Sequence, residues 1–271
     1  MDWLEILQEC SQKMRNAALR YYGCPKAAVS FGIGAGGDKS KRIDLAAEKA
    51  LIDCLNKYEL SCTLVSEEAG TKQIGFGSSE VYVVTDPVDG TTNAIHGLPF
   101  SANVIAVSSS SWLKDVKTAI VHDIFHDIVY TAQKNGGAFK NGNLIKPSET
   151  VNIEDAVIGI DLNTLKIEEL LAKLKGLLKA GKHFRHFGAN AQEICYVADG
   201  STDAFIDMRG KLRVTDMVAS YLILREAGGI IVTPEGKELD APLEATQRLS
   251  FIAASNRKMY EAITEALTSG G

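Results

Sequence analysis

No stretch of the chain approaches the ~18 uninterrupted apolar residues that a membrane-spanning helix needs, and no basic segment leads into an apolar one near the first residue. The expectation is a cytoplasmic protein with no membrane partner. Positive charge is in the minority: 29 Lys and Arg face 34 Asp and Glu, a net charge of −5, which gives no global attraction to nucleic acid or to anionic lipid. An anionic ligand would need a locally positive site. Cysteines are five, an odd number with neither a CxxC pair nor regular spacing, so reduced thiols are the simpler reading. Internal repeats, low-complexity tracts and linkers rich in Pro, Gly and Ser are missing as well, which argues for one integrated unit. What is present is an ordinary globular composition, 45% apolar and 23% charged, sufficient for one large core or two closely packed halves.

Over residues 2–22, Trp3, Leu4, Leu7, Met14, Ala17, Ala18 and Tyr21 recur at helical spacing before Gly23 and Pro25. The glycine-rich stretch 31–40 reads as a flexible lid, followed by a helix over 41–57 and a short strand at 63–65. The β-branched run 81–85 reads as a buried strand that stops before Pro87, because proline has no N–H to continue a ladder. Residues 100–108 predict a strand, and 117–150 a meander with turns at Asn135-Gly136 and Asn141-Gly142. From about 156 the pattern becomes strand, helix (167–178), strand, helix (189–198), strand (203–207), helix (216–227, stopped by Gly228-Gly229) and strand (230–233). The expected organisation is an α+β half over 1–150 and an α/β half over 151–271.

The octapeptide Asp86-Pro87-Val88-Asp89-Gly90-Thr91-Thr92-Asn93 carries the most chemistry. Two carboxylates three residues apart, on a turn with no Lys or Arg between them, repel one another unless a cation sits there, and oxygen donors point to a hard metal. Residues 90–93 can then open a helix whose free N–H groups favour a phosphate. Glu67 and Glu68 stand at the end of the 63–65 strand, Asp44 and Glu48 share a helix face at i,i+4, and Asp216 leads the last long helix. Taken singly these acids could be helix caps or solvated side chains. Two other patterns carry less. The match to GxGxxG at 32–37 lacks the strong strand before it and the helix beginning within it that a dinucleotide site requires. His122 and His126 have zinc-ligand spacing on a helix, but their neighbours favour strands joined by a turn, where that geometry is lost.

In these segments the chain resembles the inositol monophosphatase family, within the superfamily that includes fructose-1,6-bisphosphatases. The resemblance lies in the acidic pair Glu67-Glu68, the DPxDGTTN segment 86–93, a GAFxNG-like hairpin at 137–142, Asp216-Met217-Val218-Ala219 and Glu226-Ala227-Gly228-Gly229. Thr215 stands where the family usually has an aromatic. The resemblance implies a layered αβαβα sandwich and a homodimer. It implies Mg²⁺, two or three ions per site with Mn²⁺ as a substitute, held by Glu67, Asp86, the Val88 carbonyl, Asp89 and Asp216. It further implies phosphate binding by Gly90 and Thr91, and in-line attack by a metal-bound water activated by Asp44 and Thr91, with Glu67 also catalytic. Asp38 would add an outer contact from a mobile loop.

Substrate recognition is expected from Arg185, Gly188, Ala189, Asp207, Arg209 and Arg213, with Asp89, Gly90, Thr91 and Asp216 on the phosphate side. Either Asp207 or Arg209 would take the place of the family's hydroxyl-binding carboxylate. Arg209-x-x-x-Arg213 resembles the archaeal type within the family, which acts on both inositol monophosphate and fructose 1,6-bisphosphate, and it suits a second phosphate, since guanidinium donors bind a remote dianion well. The expected activity is Mg²⁺-dependent hydrolysis of fructose 1,6-bisphosphate and inositol 1-phosphate. The alternatives are a 3′-phosphoadenosine 5′-phosphate phosphatase and a non-catalytic RNA-linked regulatory protein. The acidic composition speaks against nucleic acid as a partner.

Overall fold

The computed structural model describes residues 2–77 and 79–269. Helix α1 (Trp3–Leu19) precedes a hairpin of β1 (Ser30–Ile33) and β2 (Lys39–Lys41), then α2 (Arg42–Lys57), β3 (Cys62–Ser66), β4 (Gly70–Ile74), β5 (Tyr82–Asp89) and the short α3 (Thr91–His96). The meander follows as β6 (Ala102–Ser108), β7 (Val116–Asp123), β8 (Val129–Gln133), β9 (Gly137–Lys140) and β10 (Asn143–Leu144). Beyond it come β11 (Val157–Ile160), α4 (Ile167–Ala180), β12 (His183–Arg185), α5 (Asn190–Ala198), β13 (Ala204–Arg213) and α6 (Val214–Ala227). The chain closes with β14 (Ile230–Val232), β15 (Arg248–Ala254) and α7 (Arg257–Thr268).

Side-chain alternation along the strands sorts these elements into layers. In β5, Val83 belongs to one core and Val84 to another; in β6, Ile105 and Val107 face the first and Ala102, Val104 and Ala106 the second. The first core is completed by α1 and α2, the second by α5 and α6. Past those two helices, Phe205 of β13 and Phe251 of β15 face the second core, while Ile206 and Ile252 face a third one made with α4 and α7. The order is therefore helix, sheet, helix, sheet, helix, the expected αβαβα sandwich. Strands buried on both faces explain why 104–107 reads as an unbroken apolar run. The same reasoning covers α6, apolar all round and buried from Val214 to Leu224, because it lies between two sheets.

The first sheet has the strand order β10-β9-β8-β7-β6-β5-β3-β4 and is mainly antiparallel, with β3 and β5 parallel; the second runs β12-β11-β13-β15-β14. Three expectations need correction. Strand β5 does not stop before Pro87 but continues to Asp89, because its register shifts between Asp86 and Asp89 and the Asn103 side chain donates to the Pro87 carbonyl at 2.5 Å. The lid region 31–40 contains an antiparallel hairpin. Finally, β15 and α7 had no counterpart in the sequence reading. The five cysteines are all unpaired.

Candidate active site

Three chain segments bring acids together at strand and helix ends. Strand β3 delivers Glu67, the irregular end of β5 delivers Asp86, and the first turn of α6 delivers Asp216. One oxygen from each lies within 4.8 Å of the others. Burial, then the negative charge of Asp86, pushes the Glu67 carboxyl well above the usual range; burial, then Asp216, does the same to Asp86 and to Asp89. Closely spaced buried carboxylates, all oxygen donors, fit a hard divalent ion such as Mg²⁺. Asp89 is also held by the start of α5: its two oxygens accept the amides of Asn190 at 3.1 Å and Ala191 at 2.7 Å. Glu48 fixes the β3–β4 turn by accepting the Ser66 hydroxyl and the Ala69 amide.

Asp44, on the first turn of α2, accepts the Thr91 hydroxyl at 2.9 Å, and that hydroxyl also lies 2.9 Å from the Val88 carbonyl. Burial and then Glu68 push the Asp44 carboxyl up to about 7. Thr91 has a single hydroxyl proton. With Asp44 ionised, the proton points to the carboxylate; with Asp44 protonated, Asp44 donates and Thr91 turns its own proton to Val88. The Thr91–Asp44 pair can pass a proton, while the Val88 carbonyl accepts the Thr91 hydroxyl when Asp44 is protonated. Gly90, just before α3, sits at φ +82°, and a Cβ there would lie 2.7 Å from the Phe100 carbonyl oxygen. Only glycine lets the chain turn so close to its neighbour.

These groups line one cavity of about 820 Å³, together with Gly188, Asp161, Asn163, His186, Arg209 and Lys211. The expected recognition residues divide. Arg185 is exposed, donates to the Phe184 carbonyl and does not line the cavity; nor do Ala189, which is fully buried, and Asp207. Asp207 instead binds Arg209 Nε at 3.1 Å and Nη2 at 2.5 Å, and Asp161 lies 2.7 Å from the same Nη2. With Nη1 donating to the Asn163 carbonyl at 3.1 Å, most donors of Arg209 are already engaged. Arg213 lines the cavity as well, and its guanidinium pairs with Glu67, Asp38 and Asp216. Asp161 escaped the sequence reading. Its place just past the end of β11 was the available signal, since α/β sheets present ligand-binding groups at such ends.

The two weaker motifs resolve into structure. His122 Nε2 pairs with Asp127 at 2.8 Å, and His126 Nδ1 with Asp123 at 2.9 Å, across the β7–β8 turn. In the glycine-rich segment, β1 turns back into β2, so no helix begins within the GxGxxG match.

The model of the inositol monophosphatase family matches residues 3–270. The chain belongs to that family. Members are metal-dependent, which the acidic cluster accommodates. A fructose-1,6-bisphosphatase/inositol-1-monophosphatase of Methanothermobacter thermautotrophicus is 31% identical over 98% of this chain and 96% of its own length. A bifunctional NADP phosphatase/NAD kinase of Methanococcus maripaludis is 32% identical over 97% of this chain, which spans only 49% of that longer protein. A solved inositol monophosphatase-fructose 1,6 bisphosphatase superposes with a TM-score of 0.86 at 33% identity, covering 98% of this chain and 100% of that one. The family's fold is thus this protein's fold.

Proposed function

We propose that this protein is a Mg²⁺-dependent phosphatase that hydrolyses sugar and inositol phosphate monoesters, fructose 1,6-bisphosphate and inositol 1-phosphate among them. The observation that carries the reading is the convergence of Glu67, Asp86 and Asp216 in the same cavity as the Asp44–Thr91 pair. The relatives' activities support it. Glu67, Asp86, Asp216, the Val88 carbonyl and Asp89 would hold two or three Mg²⁺ ions, with Mn²⁺ as a substitute. Bound there, the metal would neutralise the phosphoryl oxygens and the departing alkoxide.

The remaining work falls to the chain. Amides of Gly90 and Thr91, at a bend that admits only glycine, would donate to the phosphate. Thr91 would orient the attacking water, and Asp44 would take its proton through the Thr91 hydroxyl, from the face opposite the leaving oxygen. Gly188 would border the leaving group, and Lys39, Lys41 and Lys211 at the cavity wall would supply the local positive charge that the acidic chain lacks overall. We place the activity in one catalytic unit of two halves, 1–150 and 151–271, in a cytoplasmic homodimer.

Phosphate release measured with and without Mg²⁺ on fructose 1,6-bisphosphate and inositol 1-phosphate tests the reading, with Asp86→Asn as the control. Metal-dependent turnover lost in the variant supports it; no turnover of either ester overturns it. A second reading has its own observation: Leu98, Phe100 and Phe187 line one side of the cavity, and the two phenylalanine rings stack at 4.7 Å. A planar base would pack on such a surface, so the 2′-phosphate of NADP⁺ is the ester to assay beside the first two.

A further inference from the structure

Two aromatic rings from distant parts of the chain meet at the cavity wall. Phe100 precedes β6 and Phe187 lies between β12 and α5; both are partly buried, both line the cavity, and their rings stack at 4.7 Å. Tyr196 of α5 packs edge-on against Phe187 with 6.0 Å between centroids, so that ring is braced from a second side.

One side chain ties both residues to α3. Asn93 Nδ2 donates to the Phe100 carbonyl at 2.8 Å and to the Phe187 carbonyl at 2.7 Å. A carboxamide carries two N–H groups on one nitrogen, and a backbone carbonyl can only accept, so the two partners fix which way the amide faces. The backbone just ahead of Asn93 is wedged into the same place. A Cβ on Gly90 would lie 2.7 Å from the Phe100 carbonyl oxygen and 3.3 Å from the Gly188 carbonyl oxygen.

The other side of the Phe187 turn is held by Glu193, one of whose oxygens accepts the Phe187 amide at 3.2 Å and the Gly188 amide at 3.0 Å. That grip stays within the segment 187–193. The bonds from the Asn190 and Ala191 amides to Asp89 do reach across, but they fall past the turn. Asn93 therefore sets how far the aromatic wall stands from Gly90 and Thr91. An ester anchored by its phosphate can lay a ring along that wall only at the right separation, and a misplacement of about 1 Å can cost on the order of 10²-fold. A small acyclic alcohol makes no such demand.

We propose that Asn93 is a positioning residue that holds the Phe100–Phe187 wall at ring distance from the phosphate, and so makes the enzyme select esters whose alcohol carries a ring over small acyclic ones. The proposal rests on the phosphatase reading given above. It assigns selectivity to a side chain that acts through the two phenylalanines.

The experiment is steady-state hydrolysis by the full chain with Mg²⁺, comparing glycerol 2-phosphate with whichever of fructose 1,6-bisphosphate and inositol 1-phosphate wild type turns over better. The variants are Asn93→Ala, Asn93→Asp, Phe187→Ala and the double variant Asn93→Ala/Phe187→Ala. Asn93→Ala should raise KM for the ring ester about tenfold and KM for glycerol 2-phosphate less than about twofold, with kcat falling less than about threefold. Asn93→Asp should match it, because a carboxylate of the same size turns lone pairs rather than protons toward the two carbonyls. Should that variant fail to fold, Asn93→Ala carries the test, since water can satisfy the carbonyls it frees. Phe187→Ala should reproduce the selective loss, and adding Asn93→Ala to it should change KM by less than about twofold, because the wall is then already gone. Inorganic phosphate should inhibit wild type and variants alike. Equal KM increases for the two esters, additive effects in the double variant, a matching loss of phosphate affinity, or a wild type that does not prefer the ring ester overturns the proposal while leaving the phosphatase reading intact. No turnover of either ring ester by folded wild type overturns both.

Discussion

The Thr91 hydroxyl lies 2.9 Å from Asp44 and 2.9 Å from the carbonyl of Val88, so one proton serves two acceptors. Asp44 can take a proton from water through Thr91 only while it is ionised. With its carboxyl pushed up to about 7 by burial and by Glu68, kcat should rise with pH through that region and level off above it, and a bound divalent ion should move the rise to lower pH. Asp44→Asn should lower kcat by roughly 10²–10⁴-fold with KM little changed. A pH–rate profile of the two proteins checks both points; an Asn variant with wild-type kcat would remove Asp44 from the proton path.

Asp86 yields a stability prediction. Its folded-state carboxyl is raised, so its contribution is complete below the unfolded value near 4 and is lost as pH rises. In EDTA, wild type should therefore melt at a lower temperature at pH 8 than at pH 5. Asp86→Asn should recover ~1–3 kcal/mol of that loss at pH 8 while abolishing turnover. Mg²⁺ should produce a similar recovery in wild type and none in the variant. Calorimetric melts at the two pH values decide it.

Glu193 carries a second pH signature away from the metal cluster. One of its oxygens accepts the amides of Phe187 at 3.2 Å and Gly188 at 3.0 Å; the other is buried without a partner. Burial pushes this carboxyl up to about 8, so stability held at low pH is lost between about 4.5 and 8. Glu193→Gln keeps an acceptor for both amides and removes the charge. It should stabilise the protein by about 2 kcal/mol at pH 8.5 and by far less at pH 5. A gain equal at both pH values would show that the charge is not the cause.

Arg209 stands between Asp161 and Asp207, both almost fully buried. Arg209→Ala would strand two carboxylates and should cost about 3–5 kcal/mol, read as a lowered urea midpoint. If Arg209 served only to clamp a distant phosphate, the midpoint would stay and only KM for the bisphosphate would move.

Gly90→Ala combines a left-handed backbone with a Cβ 2.7 Å from the Phe100 carbonyl. It should cost at least ~2 kcal/mol and raise KM for every phosphate ester, because the distorted bend carries the amides meant for phosphate. Inorganic phosphate binding, measured by calorimetry, isolates that effect from turnover.

The motifs that the sequence displays openly are those whose chemistry sits in a short stretch. Asp86, Asp89 and Gly90 share one octapeptide, and Glu67 stands at a strand end, so their meeting could be anticipated. The ion pairs of Arg209 and Arg213 could not, because only three residues of β13 lie between a guanidinium bound by Asp161 and Asp207 and one bound by Asp38, Glu67 and Asp216. The strand carries a register shift between Asp207 and Leu212, and periodicity gives no sign of it. Pro87 misled for a related reason: the missing N–H was weighed correctly, but the Asn103 side chain that steadies the Pro87 carbonyl lies on another strand. Layer order lay beyond patterning because an apolar strand buried on both faces looks the same in any sheet. β15 and α7 follow the irregular segment 233–247, where Pro234 and Gly236 mark a turn just after β14 but sit too far from 248 to announce a further strand.

Helix α6 holds Asp216 at one end and, at the other, Glu226, whose carboxylate accepts the amides of Asn135 at 2.9 Å and Gly137 at 3.0 Å in the β8–β9 turn. Ten residues of helix set those two ends about 15 Å apart and fix their relative rotation. One added or deleted residue between them would swing one end by about 100° around the axis, so that either the acid at the reaction centre or the one gripping the far hairpin must let go. The helix therefore works as a gauge rod, and insertions that the surface loops would absorb are forbidden along its length.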